Sequence, residues 1–123
     1  MTRSVKLLAL PLAFGLAAVA MAAAPHRPAA AKARAIARGH AFAEAHCTAC
    51  HAITANGSSP NPEAPPWDDI ANRPGVTAGT LAEFLADAHN YPAAMDFTVE
   101  RRAIGDLAAY MLTLRRPGYK PTR

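Results

Sequence analysis

An all-α fold, with three to four helices, follows from three features of this 123-residue sequence. No segment alternates apolar and polar residues over a useful length, so no strand is expected. Three stretches place apolar residues at spacings of three and four, as helices with one buried face do. Between the first and second of them lies a run dense in Pro, Gly, Asn and Ser, which no regular element would tolerate.

The elements follow in order. Residues 1–6 carry Arg3 and Lys6, residues 7–21 are apolar, and Ala20-Met21-Ala22 has the small-x-small form of a cleavage site. Residues 1–22 therefore read as a cleavable secretory signal peptide. The competing reading is an uncleaved membrane anchor, but residues 7–24 lie near the lower length limit for a span, and Pro11 and Gly15 interrupt them. Residues 23–30, rich in Pro and Ala, are expected to be a disordered lead. A domain over 31–116 and a basic tail over 117–123 complete the division.

Residues 31–45 are rich in Ala, Arg, Lys and Glu and read as the first helix, with Ile36, Gly39, Phe42 and Ala43 facing inward. Gly39 weakens a helix relative to Ala, so something is expected to pack closely against it. Residues 52–76 form a long irregular loop with one short turn near 67–71. A loop of that length in a small domain is usually functional or wrapped round something. The second helix is expected over 80–89, with Thr80 and Glu83 at capping-box spacing and Leu81, Phe84, Leu85 and Ala88 as its apolar stripe. The last helix is expected to start from Thr98 as N-cap and to run to about Arg115, burying Ile104, Leu107, Ala108, Met111 and Leu114. The large apolar residues are few, and Phe84 and Phe97 are counted among them.

Cys47-Thr48-Ala49-Cys50-His51 is a C-x-x-C-H sequence and holds the chain's two cysteines. It matches the attachment sequence for c-type haem. On one helical turn Cys47 and Cys50 share a face, so both sulfurs can reach the two vinyl groups along one side of a porphyrin as thioethers. His51 then presents its imidazole to the iron as proximal ligand. A thioredoxin-type disulfide would need a βαβ setting, and a structural zinc site would need four ligands, two of them histidines here. An export signal agrees with haem attachment, which takes place outside the cytoplasm. One haem c, covalent through Cys47 and Cys50, is thus the expected cofactor, and it would give so small a core its missing cohesion.

For the opposite face of the iron, Met95 is the candidate ligand. It lies 44 residues after His51, in the loop before the last helix. Met111 falls on an apolar helix face, where methionine is usually core, and Met1 and Met21 belong to the signal region. His89 is a weaker competitor. His40 and His46 sit on the attachment helix, on the proximal side, and His26 lies in the lead.

These residues resemble the small monohaem class I cytochromes c over about 36–114. Gly39-x-x-Phe42 and Leu107-Ala108-Ala109-Tyr110 look like that family's paired helix signatures, which implies close crossing of the first and last helices. The segment Ser59-Pro60-Asn61-Pro62-Glu63-Ala64-Pro65-Pro66-Trp67 is similar to its proline loop. The resemblance implies that a carbonyl of Pro65 or Pro66 accepts a hydrogen bond from His51 Nδ1. It also places Trp67 near the haem edge, either donating to a propionate or serving as a core aromatic. Related sequences often have Pro directly after the axial methionine. Here Asp96-Phe97 follows Met95, which shortens or reshapes the ligand loop.

Charge limits the choice of partners. With Arg3 and Lys6 removed, eleven basic residues face nine acids, a net of +2. Residues 25–38 carry four basic residues and no acid, and residues 115–123 do the same. Residues 39–114 hold nine acids against three arginines, a net of −6. The ends are expected to be solvated tails, with contact to an acidic partner or an anionic membrane surface as the sharper alternative. No basic stripe with interleaved aromatics appears, so nucleic acid is not an expected ligand. The functional expectation is a periplasmic carrier of single electrons, not an enzyme. It would serve a dehydrogenase, an oxidase or a respiratory complex and depend on haem-attachment machinery for maturation. The alternative is an open-site haem c protein acting as a gas sensor or weak peroxidase.

Overall fold

Four α-helices and no strand make up the described residues, 27–87 and 98–121 of a computed structural model. The expected signal peptide, Met95 and His89 lie outside them. Helix α1 spans Arg27–His46, α2 Trp67–Ala71, α3 Ala78–Asp87 and α4 Arg101–Met111, and a 3-10 turn over Leu112–Leu114 follows. None of the described helices is long and apolar enough to cross a membrane.

Helix α1 begins four residues before the expected position, so residues 27–30 are helical and not a disordered lead. Pro28 sits in the first turn, where its missing N–H would have no intrahelical partner anyway, and three alanines follow. The most extensive packing is α1 across α4. Gly39 makes that crossing possible: a Cβ built there would lie 2.0 Å from the carbonyl oxygen of Asp106. Beside this contact, Arg38 grips the Asp106 carboxylate with Nε at 2.6 Å and Nη2 at 2.8 Å.

Helix α3 is capped by a different pair from the one expected. The N–H of Thr77 donates to Thr80 Oγ1 at 2.8 Å, and the N–H of Thr80 donates to Thr77 Oγ1 at 3.1 Å. This reciprocal arrangement satisfies two backbone donors and starts the helix at Ala78 without using Glu83. Leu81 and Leu85 are buried, whereas Phe84, expected in the core, is 59% exposed. Helix α4 starts after Glu100, not Thr98, and no side chain caps it. Its regular hydrogen bonding ends at Met111, short of Arg115, and the chain tightens into the 3-10 turn before becoming extended at Arg115. The expected face of Ile104, Leu107, Ala108, Met111 and Leu114 is buried throughout. Ile53, Trp67 and Tyr110 join it in one core cluster with Leu81 and Leu85.

The basic C-terminal end is not a loose tail in the described residues. Arg115 Nε donates to the carbonyl of Ala71 at 2.9 Å, the Arg116 N–H donates to Asn72 Oδ1 at 2.8 Å, and the Tyr119 hydroxyl donates to Asp69. The folded unit therefore extends beyond residue 116. Hydrogen-bond acceptors on and just after α2 hold these residues more specifically than solvation would.

Candidate functional site

The C-x-x-C-H segment continues α1 as one more turn. The N–H of Cys47 donates to Ala43 O at 2.8 Å, that of Cys50 to Cys47 O at 3.2 Å, and that of His51 to Cys47 O at 2.8 Å. The Thr48 hydroxyl donates to Glu44 O at 2.9 Å and ties the turn to the helix. Both cysteines are free thiols and line a cavity of about 420 Å³ together with His51.

Beyond His51 the chain is pinned at both ends of its loop. The N–H of Ala52 donates to Ser59 Oγ at 3.0 Å, that of Asn61 to Cys50 O at 3.2 Å, and that of Trp67 to Ala52 O at 2.9 Å. These contacts bring the carbonyl of Pro65 to 2.9 Å from His51 Nδ1. A carbonyl can only accept, so Nδ1 carries a proton, and in the neutral ring Nε2 is then the lone-pair nitrogen. The partner is Pro65, not Pro66. The Pro66 carbonyl is engaged by the N–H of Ile70 at 3.2 Å as α2 begins, so it is not the group facing the histidine.

Trp67 is 4% exposed and belongs to the core cluster, yet it also lines the cavity. Its ring lies 6.3 Å from that of His51 and 6.2 Å from that of Tyr110, between centroids. Ile70, Leu85, Val99, Leu107 and Met111 supply much of the apolar wall. Met111 is 2% exposed, so it is both core and cavity wall. Phe84, misplaced by its helical spacing, lines the rim, which explains why an apolar side chain on α3 is exposed. Val99 was missed because a single valine in a connecting segment has no periodicity to reveal it. His46 also lines the cavity and packs on Phe42 at 4.4 Å, while His40 meets the edge of Tyr110 at 4.7 Å.

The residues present fit a covalently held haem. Two adjacent thiols and one imidazole with a fixed tautomer border an apolar cavity, and its volume lies within the roughly 300–1,000 Å³ of cofactor sites. Burial, and secondarily the neighbouring Cys50, push the Cys47 thiol up to about 11. Cys47 is thus held as a thiol, unlike the low-pKa thiolate of a C-x-x-C redox centre. Together the helices and this site define an all-α protein with a covalent haem site.

The chain belongs to the cytochrome c family, whose model matches residues 36–115. It is also similar to a Bradyrhizobium diazoefficiens protein named cytochrome c-552, with 32% identity over 77 residues, covering 63% of this chain and 72% of that protein. No solved structure gives a significant match. Membership implies covalently bound haem c, electron transport as the family's role, and redox proteins as its partners.

Proposed function

We propose that this chain is a periplasmic electron carrier, exported by its first 22 residues and holding haem c through Cys47 and Cys50 with His51 and Met95 as axial ligands. When bound, the haem supplies a one-electron Fe(III)/Fe(II) couple. The protein's own part is to bind, orient and shield it. The observation that carries this reading is the hydrogen bond from His51 Nδ1 to Pro65 O beside two free thiols. It fixes the ring and leaves the other nitrogen available to a metal, as the partners of metal-binding histidines do. The sequence supports Met95 as the sixth ligand, because it lies in the segment before the last helix, whereas Met111 holds an apolar position on α4. Filling both axial positions leaves no open site for a substrate, which is why an electron carrier is preferred to an enzyme.

Protein matured with the haem-attachment machinery should show the α-band of a reduced thioether-linked haem, and its absence would refute the reading. The ferric near-infrared sulfur-to-iron band should disappear in Met95→Ala and persist in Met111→Ala. Rapid carbon monoxide binding by the unaltered ferrous protein would instead favour an open-site gas sensor or peroxidase. Export is tested by recovery of mature protein beginning after residue 22 in the periplasmic fraction.

A further inference from the structure

Away from the cavity, one charged cluster is left unexplained by haem attachment. Asp68 is 1% exposed. Its Oδ1 accepts the N–H of Asp69 at 3.0 Å, and its Oδ2 accepts the N–H of Asn56 at 2.8 Å and Arg116 Nη2 at 3.0 Å. The second amino group of Arg116, Nη1, donates to Asn56 Oδ1 at 2.6 Å. The guanidinium also lies 4.9 Å from the ring centroid of Tyr119. Asn72 completes the joint: its Nδ2 donates to Asp68 O at 2.8 Å and to Leu114 O at 3.1 Å.

Three segments distant in sequence meet here: the turn at Asn56, helix α2 and the chain after α4. Asn56 has φ of 58°, a left-handed conformation that a non-glycine residue keeps when its surroundings hold it. Asp68 holds its N–H and Arg116 holds its side chain. The loop thus secured runs from His51 to Pro65, and the Trp67 N–H bond to Ala52 O closes it. Asp68 lies three residues after Pro65, on the helix that opens immediately behind that carbonyl.

We propose that Arg116 and Asp68 are positioning residues for His51, locking the Asn56 turn and α2 together so that the Pro65 carbonyl stays in line with the His51 Nδ1–H. This role rests on the reading of His51 as the iron ligand. A carbonyl held at that distance fixes the ring's orientation and raises its basicity as a ligand. The C-terminal segment, outside the cavity, would therefore govern the histidine inside it. Arginine is the suitable residue because its fork serves Asp68 and Asn56 at once, which a single ammonium cannot do as well.

The test is hydrogen exchange in the reduced holoprotein, followed at the His51 Nδ1–H and at the Leu107 amide. Leu107 is 1% exposed, so its amide reports opening of the whole domain. In Arg116→Gln, His51 exchange should accelerate about tenfold or more relative to Leu107. Asp68→Asn should act in the same direction, and Arg116→Lys should fall between Arg116→Gln and the unaltered protein. Arg38→Gln, which breaks the ion pair between α1 and α4, should leave the ratio unchanged. If both protons accelerate together in Arg116→Gln, the pair merely stabilises the fold and the proposal is overturned. If Arg116→Gln does not mature, the same ratio in Arg116→Lys decides the matter. Lack of a thioether-type α-band in the unaltered protein defeats the iron-ligand reading and this role with it. A normal band with an unchanged ratio defeats this role alone.

Discussion

At the crossing of α1 with α4 the chain meets itself backbone to backbone, whereas where α2 meets the C-terminal segment it meets itself through polar and charged side chains. The crossing depends on an absent Cβ at Gly39 and on the buried faces of Leu107 and Ala108. The joint at α2 depends on the donors gathered round the Asp68 carboxylate. The first is sensitive to added volume and insensitive to charge. The second tolerates little loss of charge or donors, because a buried carboxylate without partners is costly. The lesson concerns the site: steric packing sets where the cavity is, and hydrogen bonding sets how its histidine is turned.

Five experiments test that contrast. Gly39→Val should have the largest effect, since its side chain would overlap the Asp106 carbonyl. A loss of at least about 3 kcal/mol is expected in denaturant unfolding, with a fall in yield of matured protein. Asp68→Ala should cost about 2–3 kcal/mol by leaving the Asn56 and Asp69 N–H groups and Arg116 without their acceptor. A loss below about 0.5 kcal/mol would show that the joint is ornamental. Gly105→Ala is the counterpart of Gly39→Val on the partner helix. A Cβ there would meet nothing within 4 Å, so a gain of about 0.5–1 kcal/mol is expected, and a loss would mean that α4 is not free on that side.

Alkaline pH should weaken the polar joint. Partial burial and the hydrogen bond to Asp69 push Tyr119 from its ordinary value of 10.0 up to about 12. Burial likewise raises Tyr110, whose hydroxyl donates to Ile53 O at 3.0 Å. A raised folded-state value favours the neutral form. The contribution is complete below pH 10, where the unfolded chain is also neutral, and fades as the pH rises toward 12. Melting temperatures taken across this window should therefore fall less steeply in Tyr119→Phe than in the unaltered protein. Arg38→Gln should have the smallest effect despite its short bonds to Asp106, because the arginine is exposed. What effect it has should shrink further at high salt. A large and salt-sensitive loss would show that charge, not close approach, holds the crossing.

The helical fold and the turn that gathers Cys47, Cys50 and His51 were legible because each depends on local order. The spacing of Ile104, Leu107, Ala108, Met111 and Leu114 reveals a buried face whatever packs on it. Cys47, Cys50 and His51 are brought together by a single helical turn. The caps were less legible. Thr80 with Glu83 and Thr77 with Thr80 offer the same three-residue spacing, and the path of the incoming chain selects the second. Phe84 has core spacing but lines a cavity rim, because periodicity tells which face a residue shares and not what that face meets.

Residue spacing is enough to give the helix content, the single turn that gathers Cys47, Cys50 and His51, the need for closeness at Gly39 and a proline-rich loop after His51. Long-range contacts, by contrast, select Pro65 over Pro66 to face His51 Nδ1, and they close a C-terminal segment expected to be a solvated tail over Asp68 and Asp69. Both outcomes rest on contacts between segments far apart in the chain. A one-residue choice between two prolines depends on where α2 is anchored. That anchor is made by Asn56, Asn72 and Arg116, whose charge and polarity are visible in the sequence but whose meeting point is set by the fold.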